Sequence, residues 1–286
     1  MWDEIVEQIS AATGVAFRLT DSRPVGGGCI NETYRLDGNG GPFFAKLNRA
    51  DELEIFEAEA DGLRDIAATE TIRVPRPVCL GISGGQAYLI LEHIELGGGG
   101  SQSELGRCLA KLHAVLQPNF GWRRDNTIGS TPQPNPSGDD WVAFLREHRL
   151  GFQCRLAKRN ALRLDGADDL LSQLDGFFAA YEPRPSLLHG DLWNGNVAFG
   201  PCGEPVIFDP ATYCGDREAE FGLTEMFGGF GNDFWSAYET EWPLDPGYPT
   251  RKLLYRLYHT LNHYNIFGGG YGLAAEGIVS RLLRAL

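Results

Sequence analysis

The chain has 286 residues, of which 43% are hydrophobic and 11% aromatic. This is enough to fill the core of one large domain or of two closely joined lobes, and it excludes a disordered or fibrous protein. The formal net charge of -13 and the lack of any run of Lys and Arg argue against a nucleic-acid-binding protein, because binding to phosphate backbones depends on clustered basic side chains.

The first residues of the chain and its cysteines indicate the cellular compartment of the protein. The first ten residues, MWDEIVEQIS, have neither the basic nor the apolar stretch of a secretory signal, and apolar runs such as AYLIL are too short to span a bilayer. We therefore expect a cytoplasmic protein with no membrane partner. The six cysteines include no CxxC pair, which predicts reduced thiols and neither a zinc site nor a disulfide framework.

The first third of the chain has mainly strand-like patterns. Alternating apolar residues predict three antiparallel strands near 15–25, 30–36 and 42–48, with the turn sequence DGNGG between the last two. A helix is predicted over 53–68, with Asp51 and Glu54 as a capping box. Two further strands are predicted over 73–80 and 86–92. The order β-β-β-α-β-β indicates a small lobe built on an antiparallel sheet.

Mainly helical patterns follow the four glycines at 97–100. Ser101 and Glu104 resemble a second capping box, and leucines then recur on one face of a helix. Further helices are predicted over 140–160, over 167–181 and from residue 218 onward, with short strands at 186–189, 197–199 and 205–208. We therefore predict an α+β, bilobal fold with an N-terminal lobe over 1–95, a C-terminal lobe over 96–286, and a ligand in the cleft between them.

The polar segment HGDLWNGN, at 189–196, has the H-x-D-x-x-x-x-N spacing of a kinase catalytic loop. In such a loop Asp191 accepts the proton of the substrate hydroxyl and Asn196 holds a magnesium ion. Asp209, in the segment IFDP, lies where a kinase has its second magnesium ligand. The alternative is a loop in which these residues only form Asx turns. The spacing favours an ATP-dependent kinase that uses Mg²⁺.

A lysine and a glutamate of the first lobe fit the same chemistry. Lys46 lies on the third predicted strand, from which a lysine can reach the α- and β-phosphates of ATP. Glu59, on the following helix, is the predicted ion-pair partner, and Glu57 is the second choice because it faces elsewhere on the helix. Taken alone, a strand lysine is usually a solvated surface charge, so the prediction for Lys46 depends on the other motifs.

The glycine-rich segment between the first two predicted strands contains Gly26, Gly27 and Gly28. Backbone amides that carry no side chain can approach the phosphates of ATP closely. A plain glycine-rich hairpin explains the segment about as well. The sequence has no G-x-x-x-x-G-K-[ST] motif, which disfavours a Walker-type ATPase.

The last strand of the first lobe ends at the proposed hinge, where backbone groups are expected to bind the edge of adenine. The residues concerned are Glu92, His93 and Ile94. Their assignment follows from the predicted fold and adds no independent evidence for it. The chain has neither a GxSxG elbow nor an HExxH motif, so the sequence gives little support to a hydrolase.

Longer segments of the chain resemble the fructosamine kinase (ketosamine-3-kinase) family, which has a protein-kinase-like fold. The resemblance runs nearly end to end and rests on GGGCINETYRL, EAEADGLR, RVPRPVCLG, FGWRRDNTIGSTPQPN, SLLHGDLWNGN and DPATYCGDREAEFGLTEMFGGF. TIGSTPQPN together with DLWNGN and GDREAE separates this family from aminoglycoside phosphotransferases and choline kinases. The resemblance implies a bacterial enzyme that phosphorylates the 3-hydroxyl of ketosamines, the adducts of sugars with amines, in a deglycation repair.

The resemblance also implies roles for four residues outside the catalytic set. Trp193 offers a face on which a sugar ring can stack. Asp216 and Glu218 would orient the loop or attract the substrate amine, with structural ion pairs as an equal alternative. Cys29 would link two chains through a disulfide that lowers activity, unless it is only a small residue in a tight turn. The substrate would be a free or protein-bound ketosamine, and the protein a monomer or a redox-linked homodimer.

Two other functions remain open at this point. One is a kinase for another amine-bearing alcohol, of the aminoglycoside or choline type. The other is a nucleotide-binding redox sensor without catalysis, against which the complete set of Asp191, Asn196, Asp209 and Lys46 argues.

Overall fold

A computed structural model describes residues 1–26 and 31–286 of the chain. Gly27, Gly28 and Cys29 lie outside the described residues, so the roles predicted for them stay predictions. The structure divides into two compact units, one formed by 1–100 with 198–208 and the other by 101–197 with 209–286. The assignment of ATP binding to 1–95 and of catalysis to 96–286 also stays a prediction. Within the described ranges, no helix is both long and apolar enough to cross a membrane.

The first unit is built on a five-stranded antiparallel sheet in the order β1-β2-β3-β5-β4. Its elements are α1 (Trp2–Thr13), β1 (Leu19–Pro24), β2 (Glu32–Gly38), β3 (Phe43–Arg49), α2 (Leu53–Ala68), β4 (Pro77–Ser83) and β5 (Gln86–Glu92). The predicted order of strands and helix is therefore confirmed. In addition, the chain begins with α1, which no motif had predicted.

Helix α1 covers one face of this sheet. Ile5 and Ile9 lie four residues apart, on the same side of the helix, and both are fully buried. They join a cluster that includes Ala45 and Leu47 of β3. Because successive side chains of a strand point to opposite faces, Lys46 between these two residues points to the other face, towards α2.

The two predicted capping boxes have different outcomes. Asp51 does not cap α2, because 50–52 form a short 3₁₀ turn and the N-cap residue Glu52 accepts no hydrogen bond through its side chain. At α3 the Ser101 hydroxyl does accept a hydrogen bond from the Glu104 amide, at 3.1 Å. The Glu104 carboxylate accepts from Arg107 of the next turn and not from the Ser101 amide, so only one of the two hydrogen bonds of a capping box is formed.

A hairpin from the middle of the chain belongs mostly to the first unit. Its strands are β9 (Val197–Phe199) and β10 (Pro205–Ile207), both of which had been predicted. The Ile207 amide donates to the Arg73 carbonyl at 3.0 Å, and the Gly97 amide donates to the Phe199 carbonyl at 2.7 Å. The residues just before Asp209 are thereby fixed by backbone hydrogen bonds.

The second unit is mainly helical. Its elements are α3 (Gln102–Ala114), β6 (Asn126–Ile128), β7 (Thr131–Gln133), α4 (Trp141–Phe144), α5 (Gly151–Arg159), α6 (Ala167–Ser172), β8 (Pro185–Leu188), β11 (Tyr213–Asp216), α7 (Phe221–Phe227), α8 (Asn232–Glu241), α9 (Tyr248–Phe267) and α10 (Tyr271–Leu283). The predicted helix over 140–160 consists of α4, a π-helical turn and α5, while that over 167–181 gives α6 followed by a 3₁₀ turn. Its largest core cluster is rich in aromatic side chains, including Phe120, Trp141, Phe144 and Tyr255.

Strands β8 and β11 position the polar motifs of this unit. They pair antiparallel, with Leu188 opposite Tyr213. The chain therefore leaves β8 directly into HGD and enters β11 directly from the segment that begins at Asp209. Strand β11 had not been predicted, since YCGD has no alternating pattern, yet it brings the two halves of the predicted catalytic motif together.

Candidate active site

Asp191 follows β8 by three residues and is held by an asparagine of the same loop. The Asn196 side-chain amide donates to the Asp191 carbonyl at 2.9 Å and to its carboxylate at 3.3 Å. A short 3₁₀ turn over 194–196 brings Asn196 back towards Asp191, which explains the five-residue spacing in the sequence. Burial, together with the nearby charge of Asp209, raises the pKa of Asp191 to about 8, although the hydrogen bond from Asn196 opposes this shift.

Asp209 lies close enough for its charge to act on Asp191, and its backbone has an unusual conformation. Its φ angle is +59°, in the left-handed region that costs a non-glycine residue on the order of 1 kcal/mol. The neighbouring segments are in tight contact, because the Ala211 amide donates to the His189 carbonyl at 2.9 Å. Gly190 has a φ of +81°, and a Cβ added there would lie 2.1 Å from the Ala211 carbonyl oxygen, so only glycine fits.

These residues fit a divalent cation that arrives with a phosphate ligand. Asp191 and Asp209 are carboxylates whose mutual repulsion a cation would relieve, and the Asn196 amide, having donated its N–H to Asp191, keeps a carbonyl oxygen for coordination. Within the described ranges, no three His, Cys, Asp or Glu side chains are grouped so that they could hold a metal ion by themselves. Mg²⁺ in kinase sites is held by one or two protein groups and completed by phosphate oxygens and water.

Glu220, a buried residue that no motif had indicated, hydrogen-bonds to the backbone of the loop that contains Asp191. Both oxygens of the Glu220 carboxylate accept backbone N–H groups, from His189 at 2.6 Å and from Gly190 at 2.9 Å. His113 donates from Nε2 at 3.4 Å and bonds through Nδ1 to the Tyr238 hydroxyl at 2.8 Å. Burial alone would favour the neutral acid, but the hydrogen bond and charge of His113 and the His189 amide lower the pKa of Glu220 below its ordinary value.

The other two acidic residues of GDREAE are also fully buried. Asp216 accepts hydrogen bonds from the hydroxyls of Tyr181, at 2.8 Å, and of Tyr255. Glu218 forms a two-pronged ion pair with Arg251, at 2.8 and 3.1 Å. Burial raises the pKa of Glu218 to about 7, while Arg251 opposes this. Neither carboxylate has an exposed surface for a substrate amine, so the geometry favours structural ion pairs and hydrogen bonds over the predicted substrate contact.

The segment TIGSTPQPN folds as the β6–β7 hairpin and ties down the chain after Asp209. The Asn126 side chain donates to the Thr212 carbonyl at 2.8 Å, and the Gln133 side chain donates to the Ala211 carbonyl at 3.1 Å. The Tyr258 hydroxyl in turn donates to Gln133 at 2.6 Å. These side chains had not been predicted as site residues, because their partners are backbone groups some 80 residues away.

Trp193 lies two residues after Asp191 and is 38% exposed. Its ring covers Gly195 so closely that a Cβ there would lie 2.2 Å from a ring carbon, which explains the glycine. The ring also contacts Phe227, with 5.7 Å between the ring centroids. An exposed indole fixed in this way can stack against the apolar face of a sugar.

In the first unit, Lys46 and Glu59 form the predicted ion pair. Lys46 Nζ lies 2.5 Å from Glu59 Oε1, and the two side chains are only 5% and 10% exposed. A buried charge pair of this kind is costly to build and strongly destabilising to break. The contact of Lys46 with phosphate stays a prediction.

Of the other residues predicted to bind nucleotide in this unit, the structure describes Gly26, Glu92, His93 and Ile94. The Glu92 amide donates to the Arg76 carbonyl at 2.8 Å, so any contact of 92–94 with adenine must use other backbone groups of this segment. Buried His93 Nδ1 has no hydrogen-bond partner in the described part of the chain. Ile94 is partly exposed. A Cβ added at Gly26 would meet no atom within 4 Å, so packing does not explain that glycine.

Comparison with known proteins places this geometry in a family. The model of the fructosamine kinase family matches residues 1–285. The "Probable ketoamine kinase" of Synechocystis sp. is 49% identical, over 99% of this chain and 97% of its own. The chloroplastic protein-ribulosamine 3-kinase of Arabidopsis thaliana is 43% identical, over all of this chain and 90% of its own.

Solved structures agree with this placement. The "Putative fructosamine-3-kinase" of Haemophilus somnus 129PT superposes with a TM-score of 0.91 and 28% identity, over 99% of this chain and 98% of its own. The choline kinase LicA of Streptococcus pneumoniae, at 13% identity, covers 100% of this chain and 99% of its own with a TM-score of 0.65, which shows the fold alone. The predicted protein-kinase-like, α+β fold is confirmed, and the chain belongs to the fructosamine kinase family.

Proposed function

We propose that this protein is an ATP-dependent ketosamine 3-kinase, which transfers the γ-phosphoryl group of ATP to the 3-hydroxyl of a ribulosamine or fructosamine. The observation that carries the proposal is the loop in which Asn196 holds Asp191 beside Asp209, within a chain that the fructosamine kinase model matches almost completely. The name of the Arabidopsis relative, a protein-ribulosamine 3-kinase, supports both the substrate class and the hydroxyl.

Asp191 is the proposed proton acceptor. A pKa of about 8 brings the basicity of this carboxylate close to neutral pH, where a general base is most effective. When bound, Mg²⁺ would offset the charge that develops during transfer. Asn196 and Asp209 are the proposed protein groups that hold it. The backbone bonds around Ala211 and Gly190 keep Asp191 and Asp209 in place before the nucleotide binds.

On the nucleotide side, Lys46 is proposed to orient the phosphates of ATP. Its ion pair with Glu59 at 2.5 Å fixes the direction of the ammonium group, as in kinases that pair a strand lysine with a helix glutamate. The segment 92–94 and the glycines at 26–28 are proposed to contact adenine and the phosphates. Each of these contacts is a proposal about ATP that rests on the position of the residue in the chain.

On the acceptor side, Trp193 is proposed to stack against the sugar part of the ketosamine. Trp193 lies two residues from Asp191, and its partly exposed ring packs against Gly195 and Phe227. The open surface around the indole is compatible with a free ketosamine and with one attached to a protein side chain. Mg²⁺, the protein-bound substrate and a cytoplasmic location are parts of this proposal.

The test is to incubate the pure protein with ATP, Mg²⁺ and either fructosyl- or ribulosyl-lysine, against a panel of amino alcohols that includes choline and an aminoglycoside. We expect a 3-phosphate on the ketosamines, located by NMR, and no product on the panel. Asp191→Asn should reduce kcat by at least about 10²-fold and spare ATP binding. Asp139→Asn, the same change at an exposed site, should leave kcat unchanged. Phosphorylation of a panel compound without turnover of any ketosamine would overturn the proposal.

A further inference from the structure

A cavity of about 460 Å³ opens in the second unit among residues of α7, α9 and α10. Most of its wall is apolar and includes Phe227, Leu253 and Ile278. Two basic residues also line it, Arg256 of α9 and Arg281 of α10. A pocket of this size with a mainly apolar wall and a few charged groups is typical of a site for a small organic ligand.

The two arginines differ from Arg251, the other arginine of α9. Arg251, five residues before Arg256, is buried and bonded to two carboxylates. Arg256 and Arg281 are exposed, and neither guanidinium has an ion-pair or hydrogen-bond partner among residues 1–26 and 31–286. In a chain with a net charge of -13, two unpaired guanidinium groups on one cavity form a local site for an anion.

A row of aromatic side chains connects this cavity with the catalytic loop. The Trp193 ring contacts Phe227 at 5.7 Å between centroids, and Phe227 contacts His263 at 5.2 Å. His263 contacts Tyr271, also at 5.2 Å. Phe227 and Tyr271 both line the cavity, and Phe227 is 46% exposed. Ring contacts therefore link the residue proposed to stack against the sugar to the wall of the cavity that the two arginines also line.

We propose that this cavity binds the amine part of the substrate and that Arg256 and Arg281 bind a carboxylate on it. The inference rests on the proposed ketosamine kinase activity. With the sugar on Trp193, the carbon chain of the amine would lie over Phe227, and its carboxylate would reach the guanidinium groups. The substrate class is then a ketosamine of an amino acid, or of a peptide with a nearby free carboxylate, in contrast to ketosamines of neutral amines.

Two substrates that differ only in this charge provide the test: Nε-ribulosyl-Nα-acetyl-lysine and its C-terminal carboxamide. An exposed guanidinium–carboxylate contact contributes on the order of 1 kcal/mol, which corresponds to roughly fivefold in affinity. We expect a lower KM for the acid than for the amide. Arg256→Gln and Arg281→Gln should each raise the KM of the acid by about fivefold, with kcat and the KM of the amide unchanged.

Arg284→Gln is the matched control, because Arg284 is exposed just after α10 and does not line the cavity. Equal KM values for acid and amide in the unmodified protein would overturn the proposal, as would equal effects of the substitutions on both substrates or an equal effect of Arg284→Gln. If neither substrate is turned over, the ketosamine kinase activity itself fails. Calorimetric binding of the 3-deoxy analogues of acid and amide, which have no hydroxyl to phosphorylate, then decides on the cavity alone.

Discussion

Glu220→Gln is the substitution that tests how the catalytic loop is positioned. The carboxylate accepts the amides of His189 and Gly190 on its two oxygens and a third bond from His113. A glutamine keeps one oxygen and replaces the other by an NH₂ group, which then faces a backbone N–H donor. The loss of one bond to a charged acceptor costs about 1.5–3 kcal/mol. If the loop shifts and Asp191 moves with it, a loss of about 2 kcal/mol of transition-state stabilisation would lower kcat roughly thirtyfold.

The assay compares kcat and KM for both substrates with the free energy of unfolding in denaturant. We expect a large decrease in kcat, nearly unchanged KM values and a loss of stability of about 2 kcal/mol. Glu239→Gln is the matched control, because Glu239 is exposed on α8, and it should change none of these values. If Glu220→Gln is folded and keeps kcat within about twofold, Glu220 does not position the loop. A decrease in kcat that only follows the unfolded fraction would refute the argument equally.

Two further predictions concern buried charge. Glu59→Gln removes the buried carboxylate that pairs with Lys46, so it should cost about 3 kcal/mol of stability and raise the KM for ATP. Glu54→Gln, at an exposed position of the same helix, should do neither, and equal effects of the two substitutions would contradict the role of the ion pair. Burial lowers the pKa of His259 to about 3. Between its ordinary value near 6.5 and that pKa, this side chain binds a proton in the unfolded chain and not in the folded one, so its own contribution to stability becomes more unfavourable as the pH falls. From pH 6.5 to pH 5 this contribution should change by about 1.7 kcal/mol. It is measured as the difference in the free energy of unfolding between the unmodified protein and His259→Asn at each pH, and a difference that does not change with pH would contradict the assignment.

The elements predicted well are those whose pattern is local. The bounds of α2 and β5 match the prediction, because a regular apolar period and clear turn residues mark both ends. Helix α1 was missed because its apolar face depends on only two buried residues, Ile5 and Ile9, which a search for targeting signals does not reveal. Strand β11 was missed because it exists through pairing with β8, a contact between segments 25 residues apart.

The same distinction applies to the site. The grouping of Asp191, Asn196 and Asp209 could be predicted from their spacing, because a kinase catalytic loop has these groups at these offsets. Glu220 and Gln133 could not, because each acts on backbone groups of another segment, and a backbone partner leaves no mark in the sequence. Only the resemblance of whole segments, such as TIGSTPQPN and GDREAE, to the fructosamine kinase family indicated that these regions contribute to the site.

The segment GDREAE shows why a family signature need not contact the substrate. Its three carboxylates are two residues apart and fully or almost fully buried, and each has a different partner. Asp216 binds tyrosine hydroxyls, Glu218 binds Arg251 of α9, and Glu220 binds the amides of the catalytic loop. Because a buried carboxylate is tolerated only when its hydrogen bonds are satisfied, a change at any one of the three would disturb the frame that holds Asp191. Exposed residues such as Trp193, the proposed contact of the sugar, can change without that cost.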